Sequence, residues 1–105
     1  MLELNKENFG AEVLEAEGLV FVDFWSPSCA PCMALLPEVE AFAEKNAAKA
    51  KFCKLDSGSN KRLAIAQKVM GLPTLAIYKG GEKVAVWSKD DIDMAAIQAK
   101  LDELA

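Results

Sequence analysis

LVFVDFWSPSCAPC, residues 19–32, holds two of the three cysteines, Cys29 and Cys32, three positions apart. Its first half, residues 19–25, is apolar on both alternating faces except at Asp23. Such a pattern belongs to a central strand covered on both sides. Beyond it, over 29–46, Cys32, Leu36, Val39 and Ala43 fall on one helical stripe with Leu35 and Phe42 beside it. Pro37 lies inside this pattern and predicts a kink. A buried strand therefore hands over to a helix at the cysteine pair, which can be a redox switch, a metal clamp or two pieces of core.

The position of the pair favours the first of these. Cys29 falls near the helix N-cap and Pro31 in the first turn, where a missing N–H costs nothing. Unpaired backbone N–H groups there point toward Cys29, and the helix macrodipole adds partial positive charge. Both favour the thiolate, the attacking species in disulfide exchange. Cys32 lies one turn further in, on the apolar stripe, where burial raises a thiol pKa and hides the sulfur from outside disulfides. The two-residue spacer makes its attack on a mixed disulfide intramolecular and therefore fast. Metal clamping needs four ligands, and Cys29, Cys32 and Cys53 are three, in a chain without histidine.

Working outward, residues 4–18 read as a helix capped by Asn5 and stopped by Gly18, with Phe9, Val13 and Leu14 on its apolar side. Residues 49–55 read as a second strand, and 59–71 as a short helix ending at Gly71. Residues 73–88 read as a hairpin whose Gly80–Gly81 turn takes positive φ. A last helix runs from about Asp90 to the end, capped by Asp90 or Asp91, with Met94, Ile97, Leu101 and Leu104 on one side. A short strand at Leu2–Leu4 is a further candidate. The predicted fold class is α/β: one domain over 1–105, a mixed sheet with helices on both faces.

The 105 residues suffice for one domain, and 52% of them are apolar, ample for a core. No run of 18 or more apolar residues suggests a membrane span. Glu3, Lys6 and Glu7 stand where a signal peptide would carry its apolar core, so secretion by that route is not expected. The net charge of −4 with no basic run argues against nucleic acid or an anionic membrane as partner. An odd cysteine count excludes a fully paired disulfide framework and fits a cytoplasmic address with one special pair. Without histidine there is no Cys–His catalysis, no Ser–His–Asp triad and no histidine metal site.

Asp23 has two readings. Inside the sheet, burial would raise its pKa and make it a proton acceptor for Cys32. At a frayed strand end it would merely cap the next loop. Lys54 is either its partner or a strand-end lysine reaching solvent. Pro73, between a helix stop and a strand, reads by default as a plain loop proline. Cys53 reads as a small core hydrophobe, a regulatory thiol being the lesser option; Met33 and Met70 either line the partner groove or, as methionine more often does, fill gaps; Trp87 reads as packing.

VDFWSPSCAPC, Pro37, GLPT (71–74) and KGGEKV (79–84) resemble the thioredoxin family, in order and spacing, from about Asn8 to Leu104. The resemblance implies a sheet of four or five strands flanked by four helices, with Cys29 attacking and Cys32 resolving. It implies that Asp23 is the family's buried aspartate, Lys54 the lysine near it, and Pro73 a cis-proline facing the cysteines. Ala30 and Pro31 support the pair. Trp25, Leu72 and Pro73 form the implied substrate-binding surface, with the Leu72 backbone pairing with an extended target segment. The implied activity is reduction of protein disulfides by a monomer without bound cofactor. Its partners would be disulfide-bearing targets and a flavin- or iron–sulfur-dependent thioredoxin reductase. The alternative is a redox-inactive binding module on the same fold.

The chain departs from the family at Ser28, where tryptophan is usual, at Ala30 for glycine, at Met33 for a basic residue, and at Lys89 for a glycine beside the groove. Losing a positive charge at Met33 removes some support for the thiolate, and the departures, clustered on the expected contact face, predict a narrowed partner set. With AEVLEAEG (11–18), GLPT and YKGGEKV, the altered site is similar to thioredoxins of amino-acid-fermenting anaerobes. That similarity implies glycine-reductase-type enzymes as electron acceptors.

Overall fold

In a computed structural model describing residues Met1–Ala105, five strands form one mixed sheet. They are β1 (Leu2–Leu4), β2 (Leu19–Trp25), β3 (Lys51–Asp56), β4 (Thr74–Lys79) and β5 (Glu82–Ser88), in spatial order β1-β3-β2-β4-β5. β1 and β2 both pair parallel to β3. β4 runs antiparallel to β2, and β5 antiparallel to β4. The helices are α1 (Ala30–Lys45), α2 (Lys61–Ala66) and α3 (Met94–Leu104). The parallel β2–α1–β3 crossover and the hairpin are those expected, and Gly80 (φ 60) and Gly81 (φ 83) both take positive φ in the turn. None of the helices is long and apolar enough to cross a membrane.

β2 lies at the centre, and its alternation sorts the core into two layers. Val20, Val22 and Phe24 face Leu4, Phe9, Val13, Leu55 and Tyr78, with Ala64 of α2 closing the layer. Cys53 is fully buried in this layer and unpaired. Leu19 and Phe21 face the other way, against Val39 and Phe42 of α1 and Ile97 and Leu101 of α3. Phe21, Phe42 and Phe52 meet there with ring centroids 5.2–5.8 Å apart. Asp23 has the parity of Phe21, so it enters the layer under α1.

Several expected boundaries move. The first helix shrinks to a π-helical turn over Gly10–Leu14. Asn5 does accept from the N–H groups of Glu7 and Asn8, but no regular helix follows. Phe9 and Val13, four apart, share the buried face, while Leu14 is 41% exposed because it turns away from that pair. α3 is capped by Asp93, not Asp90 or Asp91: its Oδ1 accepts from Ala95 N and Ala96 N at 3.0 and 3.3 Å. Asp90 and Asp91 lie instead in a 3-10 turn over Lys89–Asp91. α1 continues through Pro37.

α2 ends at Ala66, well before Gly71. Lys68 N donates to Ile65 O and Val69 N to Ala64 O, the paired bonds of a Schellman stop. The left-handed position in that motif is Lys68 itself, at φ 63. A Cβ there costs roughly 1–2 kcal/mol, partly offset by glycine's greater freedom in the unfolded chain. Lys68→Gly is therefore expected to stabilise the fold by about 0.5–1 kcal/mol. The corresponding rise in Tm is about 2–8 °C. Calorimetry showing no rise, or a fall, counts against this account of the stop.

Candidate active site

The site is assembled where β2 runs into α1. Ser26 Oγ lies 3.0 Å from Ser28 Oγ and accepts from Ser28 N, folding the SPS segment back on itself. Cys29 N then donates to Ser26 O at 3.1 Å. Sequence reasoning misses this turn, whose signal is serine on both sides of Pro27. Cys29 follows in extended conformation (φ −96, ψ 105) as the N-cap of α1. Its Sγ accepts from Cys32 N at 3.2 Å, and its carbonyl accepts from Met33 N at 3.1 Å.

Cys29 and Cys32 are joined as a disulfide with Cα atoms 5.2 Å apart. Cys29 is half-buried, whereas Cys32 is 2% exposed beneath it. Ala30 and Pro31 are exposed between them, with Pro31 in the first turn where no N–H is needed. Cys53 sits in the opposite core layer, so the three cysteines do not converge. No cluster of three or more Cys, Asp or Glu side chains suits a metal ion. Burial in that layer pushes the Cys53 thiol up to about 11.

Asp23 is held mid-strand, opposite Lys54 on β3 and Leu75 on β4. The strand-end reading is thereby overturned: a residue paired on both sides in the sheet centre is not frayed. Its side chain is buried and Oδ1 has no hydrogen-bond partner. Burial raises its pKa to about 7, against a smaller lowering by the Lys54 charge. Lys54 is not a strand-end lysine in solvent. Its Nζ lies 3.8 Å from Glu3 Oε1 and 5.2 Å from the centroid of Trp25, with the side chain 20% exposed. Trp25 is half-buried, its Nε1 enclosed without a partner.

The Leu72–Pro73 peptide is cis. Pro73 is buried and Leu72 half-buried, and neither backbone polar group of Leu72 makes an intramolecular hydrogen bond. A groove of about 430 Å³ passes these residues, lined also by Pro31, Leu35, Lys89 and Ile92. It joins the exposed turn of the cysteine pair to the Leu72–Pro73 segment. Met33 (42% exposed) and Met70 (89% exposed) are not gap fillers but surface residues. Trp87 packs, as expected, against the α1–α3 layer. Lys89, which stands where the family has glycine, takes a left-handed backbone, φ 51, and its N–H donates to Pro73 O at 2.9 Å.

The thioredoxin family model matches residues 1–103. A thioredoxin of Peptoclostridium acidaminophilum is 50% identical over 96% of this chain and 92% of its own length. One from Acetoanaerobium sticklandii is 46% identical, covering 94% of each. A 44-residue thioredoxin sequence from Tissierella creatinophila is 66% identical over its whole length and 42% of this chain.

The buried carboxyl has a measurable consequence for stability. The folded pKa of Asp23, about 7, stands above the ordinary value of 3.8. Folding therefore tightens its hold on the proton: its contribution to stability is full below about pH 4 and is lost as pH rises through 7. A rise of that size corresponds to roughly 4 kcal/mol at most. Asp23→Asn, which keeps the shape without the charge, is expected to stabilise the oxidised protein by about 2–4 kcal/mol at pH 8 and by little at pH 4. Denaturant midpoints at the two pH values check this, and an equal effect at both would contradict the burial argument.

Proposed function

The chain belongs to the thioredoxin family and is a thiol–disulfide oxidoreductase, and on that premise we propose that Cys29 is its attacking sulfur, Cys32 its resolving sulfur and Asp23 the proton acceptor for Cys32. The observation that carries this division is the Cys32 N–H aimed at Cys29 Sγ at the mouth of α1, with Cys32 itself covered. In the reduced state the same donor favours negative charge on Cys29.

The Cys29 thiolate attacks one sulfur of the target disulfide and expels the other as a thiolate. A mixed disulfide joins protein and target. Cys32 then gives up its proton and attacks Cys29 Sγ, closing the internal disulfide and expelling the target's second thiolate. Two electrons pass from the dithiol to the target, whose sulfurs end as thiols. A carboxyl titrating near 7 is poised to take the Cys32 proton at neutral pH. Trp25 and the unpaired backbone of Leu72 beside Pro73 are proposed to hold the target segment, in the manner of an added strand. Ala30 and Pro31 keep the first turn open to it, and Lys54 moderates the Asp23 charge.

Family membership implies disulfide-bearing protein targets and a thioredoxin reductase that restores the dithiol. Among the targets we propose glycine-reductase-type enzymes, on the likeness of the sequence to thioredoxins of amino-acid-fermenting anaerobes. A cytoplasmic setting suits a chain whose third thiol, Cys53, stays free. A redox-inactive binding module is not favoured, since both cysteines are present and joined.

Cys32→Ser is expected to accumulate mixed disulfides with targets, seen as dithiothreitol-sensitive adducts on gels, and Cys29→Ser to accumulate none. Equal trapping by the two variants removes the assignment. In the intact pair, single-turnover decay of the mixed disulfide should slow as pH falls through 7. Asp23→Asn should be slow throughout and lose that inflection. A decay profile unchanged by Asp23→Asn removes the aspartate's role.

A further inference from the structure

Two hollows flank the Leu72–Pro73 segment and share a wall. The first is the groove of about 430 Å³ past Pro31 and Pro73. The second, about 640 Å³, is lined by Lys68, Met70, Lys83 and Val86 among others. Lys89 and Asp90 line both. Lys89 is fixed at its backbone by the bond to Pro73 O and by Ile92 N donating to its own carbonyl. Its stem lies over Gly71, so closely that a side chain at Gly71 would collide with Lys89 Cε and Nζ.

The lysines of this region make no ion pair. Lys49, Lys51, Lys54 and Lys100 each pair with a carboxylate. Lys68, Lys83 and Lys89 belong to none of these pairs, although Asp90 and Asp91 stand on the same rim. Lys83 donates to the Gln67 carbonyl, and burial together with the facing Lys68 charge lowers its pKa. Three cations thus surround Met70 and Val86, which are 89% and 51% exposed. Against these three stand Asp90 and Asp91 in the same hollow, which leaves one net positive charge there on a chain whose total is −4.

We propose that Lys89, with Lys68 and Lys83 behind it, determines specificity by reading a carboxylate on the target segment that flanks the disulfide under attack. The occupant is an extended stretch of the target protein carrying an acidic side chain toward Lys89 and an apolar one over Met70 and Val86. Asp90, beside Lys89 in both hollows, and Asp91 in the second disfavour a carboxylate elsewhere and so confine the preference to the position facing Lys89. The inference rests on Cys29 being the attacking sulfur.

The test uses the reduced full-length protein and two synthetic peptides, each with an internal disulfide. They are identical except for glutamate or lysine two residues from the attacked cysteine. Single-turnover reduction is followed by thiol mass tagging. The glutamate peptide is expected to react about two- to fivefold faster at low ionic strength, the size of one exposed charge pair. The preference should vanish at about 0.5 M salt. It should survive in Lys89→Arg, fall toward one in Lys89→Asn, which tolerates the left-handed backbone, and reverse in Lys89→Glu. If the parent and all three variants reduce both peptides equally, the charge reading falls while the Cys29 assignment stands. If Cys29→Ser cleaves either peptide disulfide as fast as Cys32→Ser does, the Cys29 assignment falls and takes this inference with it.

Discussion

A sulfur atom stands where helices usually place an oxygen. The first N–H groups of a helix have no partner inside it and look for an acceptor. At α3 this chain supplies the Asp93 carboxylate, which accepts from two of them. At α1 it supplies Cys29 Sγ, which accepts from Cys32 N. A neutral thiol is a weak acceptor and a thiolate a far better one. The unmet demand of the helix start therefore becomes a bias toward the ionised sulfur. Everything upstream serves to hold that geometry: the serine turn before it, and a central strand fixed by neighbours on both sides.

The second constraint opposes folding. Asp23 lies in the layer that holds Phe21, Phe42 and Ile97, where an unpaired charge is expensive. Lys54 lowers the cost without removing it, because its ammonium is shared with Glu3 and the Trp25 ring. The result is a carboxyl that titrates near neutrality, as a proton acceptor for a buried thiol should. Stability is surrendered at the residue proposed to take the Cys32 proton, a common pattern at functional sites.

What the sequence discloses follows from which signals are local. β2 and its limits can be read because two-sided burial leaves a solid apolar run, and the hairpin because two adjacent glycines have few other uses. The cysteine pair can be placed at the helix mouth from Pro31 and the stripe that follows it. The stop of α2 escapes because a lysine, not a glycine, takes the left-handed position. The cap of α3 is misassigned because three aspartates stand within four residues, and only hydrogen-bond geometry selects Asp93. Asp23 stays ambiguous until its register against Lys54 and Leu75 is fixed. The surroundings of Lys54 depend on β1 bringing Glu3 alongside, a contact distant in sequence.

Of the departures from the family pattern, only the positive charge lost at Met33 bears on the Cys29 thiolate. The donor to Cys29 Sγ is a backbone N–H, and the dipole behind it belongs to the whole of α1; neither depends on the side chains at Ser28, Ala30 or Met33. Those side chains are exposed, so they meet whatever approaches. Lys89 follows the same logic from the opposite rim: its backbone braces Pro73 through an N–H that any non-proline residue would offer, while its side chain alone carries the charge. A donor to Cys29 that belongs to the main chain leaves the surrounding side chains free to vary, and on the reading proposed above what they alter is the choice of partner.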